Sequence, residues 1–224
     1  MMIFSRYKKY ALIILRTGLF TACAPLPPAN PKLSATLHEE AIRATAIKNY
    51  SVAIAKYEEA IRYNPLEAQL YLKQAEVLET LQQFDKAVKT YQLALDRLPE
   101  IQEERELIHY RLGLLRARDK SDHRRAKENL TFIKDESMRL DLDGCIHLYS
   151  GDPDEALRLF SRALQSALDS EQQARVYYHA SQAHYAKNDL VESRNALFYA
   201  VNNARGLALK QHIRIFFEQL QQVR

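Results

Sequence analysis

The chain has 224 residues, 47% hydrophobic and 27% charged, with a formal net charge of +4. Arg6, Lys8, Lys9 and Arg16 lie before residue 23 with no acid among them, so they account for the whole excess and the rest of the chain is neutral. A neutral body gives no support for nucleic-acid binding, which needs a net basic face. The two cysteines, Cys23 and Cys145, are too few for a disulfide framework, so stability has to come from packing.

The first element is a basic start followed by an apolar run from Tyr10 to Ala22, broken once by Arg16. That order, with small residues before a cut, is the pattern of a secretory signal. A bilayer-spanning helix needs about 20 apolar residues. This run has 13 positions and a charge inside it, which predicts a removable signal over 1–22 rather than a permanent anchor.

The run closes as Leu19-Phe20-Thr21-Ala22-Cys23. This resembles a bacterial lipobox, in which the Cys is lipidated and becomes the first residue of the mature chain. Thr21, Ala22 and Cys23 match it; Phe20 stands where Leu is usual. The resemblance implies a covalent lipid on Cys23 and no other cofactor. Ala24 replaces the Asp linked to inner-membrane retention, which implies the periplasmic face of the outer membrane of a Gram-negative bacterium. The alternative is an ordinary signal peptide with a chance cysteine. Residues 23–33, with Pro25, Pro27, Pro28 and Pro31, predict a semi-rigid tether, at near 3.1 Å per residue roughly 30 Å long.

From residue 34 the composition is helical and no alternating strand pattern occurs. Ala53, Tyr57, Ala60 and Pro65 recur 34 residues later as Ala87, Tyr91, Ala94 and Pro99. Further copies follow less regularly. A third begins near 106, with Gly113, Ala126, Leu130 and Ile133, one extra residue in its inner turn and no closing Pro. A fourth begins near 137, with Gly144, Ala156, Phe160 and Ala163. A fifth begins near 174, with Ser181, Ser193, Leu197 and Ala200. In the fourth, Asp152 reads as an N-cap and Pro153 as the first helical residue. The small residues predict close helix packing at one point per copy.

The period and pattern resemble the tetratricopeptide repeat family. The resemblance implies an all-α fold, an α-solenoid of about five antiparallel helix pairs over 34–206. It also implies a right-handed superhelix with a concave surface lined by the first helix of each pair. After Gly206, Leu209, Ile213, Phe216, Leu220 and Val223 are spaced as one helical face. Residues 207–224 therefore predict a capping helix on the fifth repeat, with a seam between two copies as the alternative; Ile215 and Phe217 widen its apolar surface.

No glycine-rich loop and no His-Glu-x-x-His pattern occurs. His179 and His184 are five apart and point to different faces of a helix, which argues against shared metal ligation. Asp141 and Asp143 diverge in the same way, so neither a catalytic residue nor a metal site is expected. Cys145 reads as a small buried hydrophobe.

Arg116, Arg118, Arg124 and Arg125, with Lys120 and Lys127, form the one dense basic cluster. It reads as a solvated corner or as a docking patch for an acidic partner or anionic head groups. The family resemblance carries a peptide-binding groove onto Leu72, Tyr110, Leu114, Tyr149, Tyr178 and Tyr185, with Glu76, Glu79, Arg118, Cys145, Leu148 and Gln182 beside them. Tyrosines suit such a surface because each offers apolar area and a hydroxyl at low entropy cost. The Lys and Asn clamp of chaperone-binding relatives is missing, since His38 and Ile42 stand at the matching places.

Lipobox and repeats together resemble outer-membrane repeat lipoproteins. They imply a non-catalytic protein-binding scaffold, first a pilotin-type assembly factor for a pilus or secretion pore. An adaptor for a periplasmic protease or a cell-wall enzyme is the alternative, and a soluble repeat interaction protein a third.

Overall fold

A computed structural model of the protein describes residues 27–166 and 169–222; the signal segment, Cys23 and Val223 lie outside the described residues. Among the described residues every regular element is a helix. Helices α1 (Pro31–Ala46) and α2 (Tyr50–Tyr63) form the first pair, and α3 (Ala68–Thr80) and α4 (Phe84–Arg97) the second. Then come α5 (Glu104–Ala117) with α6 (His123–Leu130), α7 (Glu136–Ser150) with α8 (Pro153–Leu164), and α9 (Ser170–Ala186) with α10 (Leu190–Asn203). The last helix is α11 (Leu207–Gln222). None of them is long and apolar enough to cross a membrane.

The helix boundaries follow from local chemistry. Asn30 and Asp152 each cap a helix whose first residue is proline, Pro31 and Pro153. Asp169 and Gln172 close a reciprocal capping box on α9. Four inner turns are built alike, with one residue in the left-handed region: Lys48 at φ 59°, Gln82 at 58°, Gly151 at 95° and Asn188 at 61°. The next N–H reaches back to the helix, as in Asn49 to Ala44 at 2.8 Å and Gln83 to Leu78 at 2.9 Å. That bond satisfies a carbonyl the helix end would otherwise orphan. The third pair departs from the others. A 3₁₀ turn over Lys120–Asp122 takes up the extra length, and α6 has only 8 residues. It stops at Leu130, so Ile133 is buried from the loop that follows.

Each pair closes on its predicted small residues. Ala53, Ala60, Ala87, Ala94, Ala156 and Ala163 are fully buried around Tyr57, Tyr91 and Phe160. A Cβ added at Gly144 would lie 2.4 Å from the Phe160 ring, and one at Gly113 would lie 2.5 Å from Leu142. In the fifth pair two serines do this work. Ser181 Oγ donates to the Ser193 carbonyl at 2.6 Å and Ser193 Oγ to the Ser181 carbonyl at 2.9 Å. The apolar interior runs through the stack as three adjoining clusters, over α1–α5, α5–α10 and α9–α11.

Helix α11 buries Leu209, Ile213, Phe216 and Leu220, the face its spacing predicts. Its position differs from a cap confined to the fifth pair. It packs on α10 and also reaches α3 of the second pair. The described part of the predicted seam face is thus consumed within one chain.

Candidate functional site on the concave face

Helices α3, α5, α7 and α9 pack successively against one another and form an inner layer. Helix α11 lies across it, held first through its N-terminus. Leu207 N donates to Glu76 Oε1 of α3 at 2.9 Å. Arg205 N and Gly206 N donate to Glu171 Oε2 of α9 at 2.6 and 3.0 Å. A helix start leaves N–H groups without intrahelical partners and carries partial positive charge. Two carboxylates from distant repeats satisfy it here. Burial pushes the Glu76 carboxyl up, but the Lys73 and Arg111 cations and the hydrogen bonds from Lys73 and Leu207 outweigh it and hold it below its usual range. A Cβ at residue 206 would lie 2.5 Å from Glu171 Oε1 and 3.1 Å from Glu76 Oε1, so a larger residue there would have to displace these carboxylate tips.

Farther along α11, His212 sits between the rings of Phe84 and Tyr178, at 6.0 and 6.4 Å. Phe216 meets Tyr178 and Tyr185 edge-on at 6.1 and 5.5 Å. Burial, then the nearby Arg118 and Arg175 cations, push the His212 imidazole down to about 3. Its Nε2 is buried without a partner. The ring is therefore neutral in the folded protein.

The six groove residues do come together on the inner layer, in a role other than an open surface. Leu72, Tyr110 and Tyr178 are buried, Leu114 and Tyr149 are half-buried, and Tyr185 is 38% exposed. Tyr110 Oη donates to Asp141 Oδ2 at 2.5 Å. Tyr149 Oη donates to Gln182 Oε1 at 3.3 Å, and Gln182 Nε2 to Tyr178 Oη at 3.1 Å. Desolvation pushes the hydroxyls of Tyr149 and Tyr178 up, so they stay protonated donors. Helix α11 occupies the face that the sequence alone leaves open to a peptide. Two small cavities remain beside it, about 30 Å³ against Leu114, Tyr149 and Tyr178 and about 170 Å³ against Phe84, Arg118 and Gln182.

One buried trio was not foreseen. Asp141, Cys145 and His179 place potential ligand atoms within 4.8 Å of one another. Asp141 and Cys145 share a face of α7 by their i,i+4 spacing, and His179 comes from α9, so the His179–His184 spacing was the wrong pair to consider. The chemistry still reads as a hydrogen-bonded core. His179 Nδ1 lies 2.8 Å from Asp141 Oδ1, whose other oxygen is held by Tyr110. Burial and the Asp141 charge push the Cys145 thiol well up, which keeps it protonated beside its neighbours. Arg118 and Arg175 act on the same thiol in the opposite direction, and two cations beside it disfavour a third.

The basic cluster is divided rather than pooled. Arg116 and Arg125 both face Asp122, at 3.7 and 3.1 Å, and Arg124 pairs with Glu128 at 2.9 Å. Arg118 turns to the concave side, its guanidinium 4.6 Å from the Phe84 ring centroid. No continuous patch of unpaired cations results. Sequence reasoning missed Glu171, Gly206 and His212, since each acts on an element far from its own repeat.

The sequence profile described as "Tetratricopeptide repeat" matches residues 38–100 and 143–206, more than half of the chain. No curated protein matches. Among solved structures, a tetratricopeptide repeat protein from Parabacteroides merdae superposes with a TM-score of 0.60 at 14% identity, over 87% of this chain and 80% of its own. PilW, a widely conserved type IV pilus biogenesis factor, gives 0.57 at 16% identity, over 87% and 94%. PilF of Pseudomonas aeruginosa gives 0.53 at 14% identity, over 86% and 93%. At these identities the likeness is one of fold. With the profile match and five helix pairs closed on periodic small residues, the chain belongs to the tetratricopeptide repeat family.

Proposed function

We propose that this protein is a non-catalytic scaffold, lipid-anchored through Cys23 at the periplasmic face of the outer membrane, that grips a protein partner during assembly of a pilus or secretion pore. The scaffold role is what the repeat family brings. The observation that carries the non-catalytic reading is the state of the concave face. Helix α11 lies over the inner layer, and the cavities left beside it, about 30 and 170 Å³, are both smaller than the roughly 300–1,000 Å³ of a ligand pocket. The assembly role is supported by the likeness in fold to PilW, a type IV pilus biogenesis factor, and by coverage of 94% of PilW and 93% of PilF. The lipobox-like end at Cys23 supports the anchor and the address.

The test is intact mass combined with crosslinked capture from native membranes. A chain starting at Cys23 with a diacylglycerol-sized mass increase, crosslinked to a secretin or pilus component, is the expected result. A captured protease moves the job to adaptor. An unmodified full-length chain in the soluble fraction removes the anchor and the address.

A further inference from the structure

The outer side of α10 and α11 is unlike the rest of the stack. A trough of about 550 Å³ runs between the two helices, with Leu197, Phe198 and Val201 on one wall and Ile213 and Phe217 on the other. Phe198 is 64%, Val201 52% and Phe217 49% exposed. Arg194 precedes the first wall at the i,i+3,i+4,i+7 spacing, and Lys210 and Arg214 flank the second. Each stripe is about two turns, or roughly 10 Å, long.

Comparison along the repeats explains the trough. Val201 occupies the place held in earlier second helices by Ile61, Leu95 and Leu164. Those three are packed into the core clusters. A solenoid covers that position with the next helix pair. Among the described residues α11 follows the fifth pair and covers the concave side, so this position has no helix seated on it. The seat has also changed character. Phe198 stands where Glu58, Gln92 and Ser161 stand in the earlier copies, and Arg194 where Ile54, Val88 and Leu157 stand. An aromatic replaces solvated polar side chains, and a cation replaces packed aliphatic ones.

We propose that this trough is the docking site for an acidic amphipathic helix of a partner protein, seated where the second helix of a sixth pair would lie. The apolar walls accept anchors at i, i+3, i+4 and i+7, the usual signature of a helix laid in a groove. The rim chooses the charge. Among the described residues Arg194 and Lys210 form no ion pair, and Arg214 donates only to Gln211 Oε1, at 2.7 Å. Acidic flanks on the incoming helix would pair with all three and set its orientation. A second copy of this chain fits less well, because a two-fold contact puts each patch against itself and these cations against their own copies. The inference rests on the scaffold reading only in taking the occupant to be a protein.

The experiment is selection from a displayed library of helical 20-residue peptides on the purified full chain, followed by fluorescence anisotropy with the selected peptides. The expected outcome is convergence on an apolar i,i+3,i+4,i+7 stripe flanked by Asp and Glu. Binding should weaken on the order of tenfold, or about 1.4 kcal/mol, in Arg194→Glu/Arg214→Glu and in Val201→Asp, while Arg124→Glu binds as wild type. Arg194, Arg214, Val201 and Arg124 are all exposed, so circular dichroism should remain native. Selected peptides that ignore these substitutions, or that carry no acidic bias, overturn the proposal. So does sedimentation of wild type as a dimer that Val201→Asp dissociates. Flotation with phosphatidylglycerol vesicles, abolished by the same double variant, would assign the trough to lipid instead. Because the chain is purified and needs no pilus component, failure here leaves the assembly reading standing, and failure of the membrane capture leaves the trough standing.

Discussion

Phe216→Ala is the sharpest probe of whether α11 is an integral part of the concave face. The ring is buried to 5% exposure and meets Tyr178 and Tyr185 edge-on. Removing a buried Phe from a packed site costs about 3–5 kcal/mol. The two aromatic contacts fall within that figure, at roughly 0.5–1.5 kcal/mol each. The neighbouring residue supplies the control: Phe217 is 49% exposed, and its truncation should cost under about 1 kcal/mol. Solenoids lose structure locally before they lose it globally. The loss is therefore best read by native-state hydrogen exchange alongside urea unfolding. Phe216→Ala should speed exchange in α11 and in α3 near Glu76, leaving α1 and α2 protected. Equal costs for the two alanines, or a Phe216→Ala loss below about 1 kcal/mol, would refute the docking of α11 on the inner layer.

Acid should loosen the same helix. The folded His212 imidazole is pushed from 6.5 down to about 3, so below 6.5 the unfolded chain binds a proton that the folded one refuses. Stability is whole above 6.5 and falls as pH drops toward 3, by roughly 2 kcal/mol at pH 5. His212→Phe should flatten that part of the urea-midpoint profile, since Nε2 gives up no partner. Glu76 acts lower on the scale. Its folded value is depressed, so its contribution is present above 4.5 and lost as pH falls through the folded value; Glu76→Gln should remove that loss. Gly144→Ala drives a methyl into Phe160 at 2.4 Å. Overpacking of about 1–3 kcal/mol outweighs the helix-propensity gain of about 1 kcal/mol, and the midpoint should fall. Gln82→Gly relieves a left-handed residue at φ 58° and should raise it by about 0.5–1 kcal/mol. Asn188→Gly should gain less, because Asn tolerates that region.

The repeat stack was legible because each of its contacts is periodic. Ala53, Tyr57 and Ala60 meet neighbours one helix away, and the same geometry recurs at Ala87, Tyr91 and Ala94. A reader of spacings can count such contacts without knowing the superhelix. Even the irregular third pair announced itself through an extra residue, which became the 3₁₀ turn at Lys120–Asp122. The apolar face of α11 was equally plain, since Leu209, Ile213, Phe216 and Leu220 obey a helical period.

What that face would meet could not be read the same way. Its partners are set by the curvature accumulated over four pairs, and curvature is no property of any one window of sequence. Leu207 bonds to Glu76 across 131 residues, and nothing near either residue marks the pair. The same argument explains both surfaces of α11. A superhelix tight enough to bring α3 within reach draws the last helix inward, burying the tyrosines that an open groove would have offered. By going inward, α11 abandons the outer flank of α10, which leaves Phe198 and Val201 uncovered. The closed concave face and the uncovered flank of α10 are thus one structural choice.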